Sequence, residues 1–139
     1  MDEKILKFLK KMHVMSLAVM GEEGVYACSV FYAFDGSNLS LIFASDPATH
    51  HMKAALANPR VSANIALDTK IVGLVRGAQI LGELAPCKEG GAYFRRFPYA
   101  LAMKPTLYEI KINWLKYTDN ALSKKLVWER DNSNLNIQI

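Results

Sequence analysis

The sequence is poor in cysteine and lacks long apolar runs. Its two cysteines, Cys28 and Cys87, are far apart, which excludes a disulfide framework and a cysteine-ligated zinc site. We therefore expect a reducing compartment, the cytoplasm. No apolar run approaches the ~20 residues of a membrane span. The apolar stretch 14–21 is too short for a signal peptide and runs into Glu22 and Glu23, so we expect no membrane association.

The common catalytic motifs are also missing. There is no serine-hydrolase elbow, zinc-protease helix, P-loop or dinucleotide fingerprint, and the carboxylates form no obvious acid–base pair. This argues against a hydrolase, and we expect no metal site. The 17 basic residues exceed the 13 acidic ones by four, but they are spread along the chain. A nucleic-acid surface needs a basic stripe interleaved with aromatics, so we expect no nucleic-acid partner.

The chain is rich in apolar residues, arranged in short segments. Hydrophobic residues make up 51% of its 139 residues, enough for one core. We predict one domain over 1–130 and a polar C-terminal tail over 131–139. The predicted helices are 2–12, 47–57 and 88–97, and the predicted strands are 14–20, 25–34, 39–44, 61–67, 71–84, 106–112, 116–118 and 126–129. Six or so strands in hairpin order, with two or three helices, predict a mainly β fold (α+β), a small antiparallel barrel.

One segment has the residues for anion chemistry. Ser45 or Asp46 can cap the second helix and Pro47 can occupy its first position, while Thr49, His50 and His51 follow. The exposed N–H groups of a helix N-terminus, with hydroxyls and imidazoles around them, form a natural phosphate site. A capping carboxylate at Asp46 would oppose a phosphate. The alternative interpretation is an ordinary capped helix with exposed histidines.

The same segment carries a family resemblance. Its residues Phe43, Ser45, Thr49, His50, His51 and 58–61 (Asn-Pro-Arg-Val) stand at the spacings of the phosphate segment of the pyridoxamine 5'-phosphate oxidase-like, FMN-binding split-barrel superfamily. The chain looks closer still to the uncharacterised YhbP-like subgroup, on the stretches 31–35, 74–83, 95–98, 117–120 and 124–130. One departure is that His50 and His51 stand where the oxidases carry Arg and Lys.

The resemblance implies a homodimeric antiparallel split β-barrel that binds FMN at the subunit interface. The implied phosphate ligands are Ser45, Thr49, His50 and His51. The positions carried over for the flavin ring are Cys28, Ser29 and Phe31, with Lys125 and Trp128 approaching from the other subunit. The implied function is two-electron transfer to a small-molecule substrate, with the flavin performing the chemistry and no catalytic side chain identified.

Two other interpretations stay open. In one, the protein binds heme, as similar barrels do, with His50 or His51 as an axial ligand. In the other, it is a dimeric scaffold without a cofactor. The pair Arg95–Arg96 also has two interpretations: it binds an anion or acidic substrate, or one arginine pairs with Glu89 or Glu83.

Overall fold

A computed structural model describes residues 1–131 of the chain. The helices are α1 (Glu3–Lys11), α2 (His50–Ala57) and α3 (Gly91–Arg96), with 3-10 helices at Val72–Leu74 and Pro98–Met103. The strands are β1 (Val14–Gly21), β2 (Gly24–Asp35), β3 (Ser40–Ala44), β4 (Arg60–Ala66), β5 (Arg76–Pro86), β6 (Leu107–Asp119) and β7 (Lys124–Glu129).

The seven strands form one antiparallel sheet in the order β3-β2-β1-β4-β5-β6-β7, and β3 also pairs with β6. That extra pairing closes six strands into a barrel and leaves β7 beside the second half of β6. The predicted mainly β, antiparallel split-barrel fold is therefore confirmed. The predicted tail at 131–139 lies outside the described residues except for Asp131.

The core fills the barrel because alternate residues of each strand point inward. In β1, Met15, Leu17 and Val19 are buried, and the residues between them face outward. The amphipathic α1 adds Ile5 and Phe8 to the same core. A second apolar cluster lies outside the barrel, where α3 and the 3-10 helix after it pack on β2 and β3.

Several predicted elements had wrong bounds, and one of them is the third helix, which begins at Gly91 rather than at Lys88. The second helix begins at His50 rather than near Pro47, because residues 46–49 form a separate turn. The predicted strand 71–84 begins only at Arg76, since Val72–Leu74 forms a 3-10 turn. The predicted strands 106–112 and 116–118 are one strand, β6, and a bulge keeps its two halves in register with β5.

The bulge depends on a glycine. The register shifts between Leu81 and Gly82, so that Leu81 faces Trp114 while Gly82 faces Ile112. A Cβ on Gly82 would collide with the carbonyl oxygen of Lys111. Only glycine permits this close approach of β5 to β6.

Candidate functional site

The candidate site lies where β3 ends and α2 begins. Ser45 continues the pairing of β3 with β6 by donating its N–H to the Thr106 carbonyl. Asp46 then accepts the N–H of Ala48 on its carboxylate at 2.8 Å, and its carbonyl accepts the N–H of Thr49 at 3.1 Å. The Asp46 carboxylate therefore caps this turn rather than α2.

The N-terminus of α2 is left without a side-chain cap. Thr49 is the N-cap residue, but its hydroxyl donates to the Asp46 carbonyl at 2.8 Å and makes no capping bond within the described part of the chain. The first turn of α2, which is described in full, has no acidic residue. The first N–H groups of α2 and the partial positive charge of the helix terminus thus remain available to an anion.

The predicted phosphate ligands Ser45, Thr49 and His51 are brought together here. His51 Nε2 lies 2.9 Å from Ser45 Oγ and 3.4 Å from Thr49 Oγ1. Burial, with a contribution from the neighbouring His50, lowers the pKa of His51 below its usual 6.5. At neutral pH His51 is therefore a neutral hydrogen-bonding group and not a permanent cation.

His50 belongs to a different cluster. Its Nε2 lies 3.3 Å from a carboxylate oxygen of Glu23, and its ring meets the Tyr26 ring edge-on at 4.8 Å. Both partners lie on the hairpin between β1 and β2. Glu23 and Tyr26 were not predicted as site residues; the one available signal in the sequence was the pair Gly21 and Gly24, which favours a tight turn at the end of this hairpin.

The predicted ring-binding residues lie on β2, close to this site. Tyr32 pairs with Phe43, so Phe31 and Ser45 are each within two residues of one cross-strand pair. Ser29 and Phe31 face outward, and Phe31 is 60% exposed. Cys28 instead packs against the barrel core, and burial raises the pKa of its thiol.

Lys125 and Trp128 lie on β7, which pairs with β6 and not with β2. Lys125 is exposed, whereas Trp128 packs against the core, with the Arg130 guanidinium 5.5 Å from its ring centre. The described contacts of Trp128 are therefore with the barrel and Arg130.

Arg96 contacts other elements of the same chain. Its guanidinium lies 5.7 Å from the Tyr32 ring centre and 5.9 Å from that of Phe97, and it donates to the Lys11 carbonyl. This arrangement ties α3 to β2 and the end of α1. Arg95, the residue before it in the last turn of α3, is exposed.

The outer face of β1, β4 and β5 carries two adjoining open grooves of about 830 and 450 Å³. Their shared lining is formed by Ala18, Ser62 and Leu81, and the larger groove adds the charged side chains Arg60, Glu83, Lys111 and Arg130. Over residues 1–131, no group of three or more His, Cys, Asp or Glu side chains is arranged to hold a metal ion. None of the described helices is both long and apolar enough to cross a membrane.

Solved structures with the same fold bind different cofactors. The chain superposes on a heme-binding protein from Mycobacterium smegmatis with a TM-score of 0.71 and 12% identity, covering 93% of this chain and 59% of that one. For HutZ, a heme storage protein from Vibrio cholerae, the TM-score is 0.64 and the identity 12%, with 81% of this chain and 89% of that one covered. For an FAD-binding protein from Mesorhizobium loti, the TM-score is 0.64 and the identity 18%, with 81% of this chain and 87% of that one covered. At these identities the similarity supports the fold alone.

Sequence relatives are closer. A UPF0306 protein from Campylobacter jejuni is 43% identical over 131 residues, which span 91% of this chain and 96% of the relative. A UPF0306 protein from Cronobacter sakazakii is 36% identical over 136 residues, 92% and 94% of the two chains. No protein-family model matches the sequence. On the strength of these full-length relatives, the chain belongs to the UPF0306 family.

Proposed function

We propose that the protein is a homodimeric flavoprotein that binds FMN, with the phosphate at the N-terminus of α2. The observation that carries the proposal is the uncapped first turn of α2, beside the hydroxyls of Ser45 and Thr49 and the imidazole of His51. A phosphate is the ligand group best suited to such a set of N–H and O–H donors. The FAD-binding structural neighbour supports a flavin.

The residues around this position fit the rest of an FMN molecule. The outward face of β2 carries Ser29 and the exposed ring of Phe31. Phe31 precedes Tyr32, which pairs with Phe43, two residues before Ser45. Bound FMN would supply two-electron transfer to a small acceptor. Ser45, Thr49 and His51 would hold and orient the phosphate, and β2 would support the ring.

A second subunit would complete the site. The grooves on the outer face of β1, β4 and β5 offer a broad surface for a second copy, with Ala18 and Leu81 in their shared lining and charged side chains such as Arg60 and Glu83 along the larger groove. Lys125 and Trp128 would then approach from the partner. Sedimentation should find a dimer at micromolar concentration, and a stable folded 15.5 kDa species would contradict the shared site.

The phosphate contact is tested by comparing FMN with riboflavin, which has the same ring and no phosphate. Each charge-assisted contact is worth roughly 1.5–3 kcal/mol, so FMN should bind at least about tenfold more tightly. Ser45→Ala should weaken FMN binding and leave riboflavin unchanged, whereas Ser37→Ala, on the exposed turn after β2, should change neither. Equal affinity for both ligands in a flavin fluorescence titration would refute the phosphate site.

Heme binding is the second candidate function. It is favoured by His50, which is 49% exposed and faces the Glu23 carboxylate at 3.3 Å, since a carboxylate partner commonly orients a metal-ligating imidazole. Two structural neighbours are heme proteins. Hemin titration should then give a Soret band that His50→Ala abolishes. A protein that binds neither ligand would be the cofactor-free scaffold.

A further inference from the structure

The larger groove on the outer face of β1, β4 and β5 begins where the described chain stops. Arg130 and Asp131, the last two described residues, belong to its lining. The N–H of Arg130 donates to the carbonyl of Asn113 at 2.8 Å, and Asn113 lines the same groove. The segment that follows therefore leaves from the β6 side of the groove.

The segment 132–139 has the sequence pattern of a strand. It reads Asn-Ser-Asn-Leu-Asn-Ile-Gln-Ile, so Leu135, Ile137 and Ile139 alternate with amide side chains and none of the eight residues is charged. Alternate residues of an extended chain point to opposite sides, which puts the three apolar side chains on one side. Such a segment gains free energy when its apolar side is buried on a surface.

The middle of the groove suits that apolar side. Ala18, Ser62 and Leu81 lie in one row across β1, β4 and β5, because Ser62 pairs with both of the others. At the far side, Met20 is 48% exposed and Val25 71%, and both line the groove. An apolar side chain above this row would contact small or apolar groups.

The charged part of the groove suits amide side chains. Glu83 pairs with Arg60 on one side and with Lys111 on the other, so the three strands carry a row of alternating charge. Asn and Gln side chains both donate and accept hydrogen bonds, so they can bind groups of either sign.

The segment is long enough to cross the groove. The path from β6 to β1 covers three strand spacings, or roughly 14 Å at about 4.8 Å each. An extended chain advances about 3.3 Å per residue, so about four or five residues after Asp131 reach β1. Leu135 then lies near the row of small residues, and Ile137 lies near Met20 and Val25.

We infer that residues 134–139 bind in the larger groove of their own chain, with Leu135 and Ile137 against the sheet. Attachment at the edge of the groove gives the segment a high local concentration there, which favours it over a second copy. The inference goes beyond the proposed function and needs neither FMN nor a dimer. It leaves the smaller groove, and the outer side of the bound segment, to the proposed second subunit.

The experiment uses the chain with its methionine methyl groups labelled with carbon-13 and followed by NMR. Deletion of residues 132–139 should shift the Met20 resonance, because the segment no longer covers that side chain. Met103, which is 74% exposed on the 3-10 helix after α3, should not move. Met15 is fully buried in the barrel, so its unchanged resonance shows that the shortened chain is folded.

Two double variants keep the full length and provide the matched comparison. Leu135→Ser/Ile137→Ser should move the Met20 resonance most of the way to its position in the deleted chain. Asn134→Ser/Asn136→Ser changes the opposite side of the segment and should leave Met20 where it is in the parent.

Three results would overturn the inference. One is a Met20 resonance that neither the deletion nor Leu135→Ser/Ile137→Ser moves. Another is an equal shift in both double variants, because the alternation would then have no part in binding. The third is a Met20 resonance of the full chain that approaches that of the deleted chain on dilution. A second copy would then cover the groove, which would support the proposed dimer and not this inference.

Discussion

Arg130 is expected to hold the barrel closed at the place where β6 changes partner. Along one edge, β6 pairs first with β3 and then with β7, which leaves a gap near Ile112. Arg130 fills that gap. Its Nε donates to the Ile112 carbonyl at 2.9 Å, and one Nη donates to the carbonyls of Asn38 and Leu39 at 3.1 Å each.

The cost of removing this side chain follows from these three bonds. Removing a charged donor costs roughly 1.5–3 kcal/mol of folding free energy for each acceptor that is left without a partner. The Asn38 carbonyl is exposed, so water replaces that bond, and the Leu39 carbonyl keeps the N–H of Ile112. Only the Ile112 carbonyl then loses its partner, so we expect Arg130→Ala to lower the free energy of unfolding by about 1.5–3 kcal/mol, or the melting temperature by roughly 5–12 °C.

Urea unfolding followed by circular dichroism measures the effect. Arg130→Lys keeps the charge but can reach fewer carbonyls, so its loss should be intermediate. Lys125→Ala removes an exposed cation on the neighbouring strand and should stay within about 0.5 kcal/mol of the parent. If Arg130→Ala unfolds at the same urea concentration as Lys125→Ala, the assigned role of Arg130 is wrong.

Three further predictions concern the barrel and the site. Gly82→Ala should cost at least about 1–3 kcal/mol because its Cβ collides with a β6 carbonyl, whereas Gly73→Ala meets nothing within 4 Å and should be tolerated in the same urea assay. The pKa of His51 is lowered in the folded protein, so the unfolded chain takes up this proton at a higher pH and the free energy of unfolding should fall as the pH drops below 6.5. His51→Asn should flatten that part of the stability profile, whereas His13→Asn, at an exposed position, should not. Identical profiles for the two variants would contradict the assignment. Ser29→Trp should weaken FMN binding at least about tenfold with little loss of stability, since Ser29 faces outward; unchanged affinity in a fluorescence titration would place the ring elsewhere.

The elements could largely be predicted from local pattern. Alternating burial in β1 and the Gly21–Gly24 turn follow from period-two hydrophobicity and glycine. The start of α2 could not be predicted, because Ser45, Asp46 and Thr49 are all competent caps in sequence. Only the folded turn shows that the Asp46 carboxylate bonds to Ala48 and that Thr49 is the N-cap residue.

The proximity of Ser45, Thr49 and His51 could be predicted from their spacing, because residues that close in sequence cannot lie far apart. The division between the two histidines was not visible in the sequence. Consecutive helical residues point about 100° apart, so His51 turns to Ser45 while His50 turns to the β1–β2 hairpin. The proposed second subunit would add Lys125 and Trp128 to the site.

The sequence by itself determined most of the strand pattern and the hydroxyl-rich segment before α2, because these rest on periodicity and short-range chemistry. The closure of the barrel rests on the long-range pairing of β3 with β6. Tertiary structure decided how distant side chains are used. Arg96 turns inward to Tyr32 and Phe97, and Arg130 bridges carbonyls about 90 positions away, at Asn38 and Leu39. Such contacts arise from the closure of the barrel, which brings together strands that no local pattern relates.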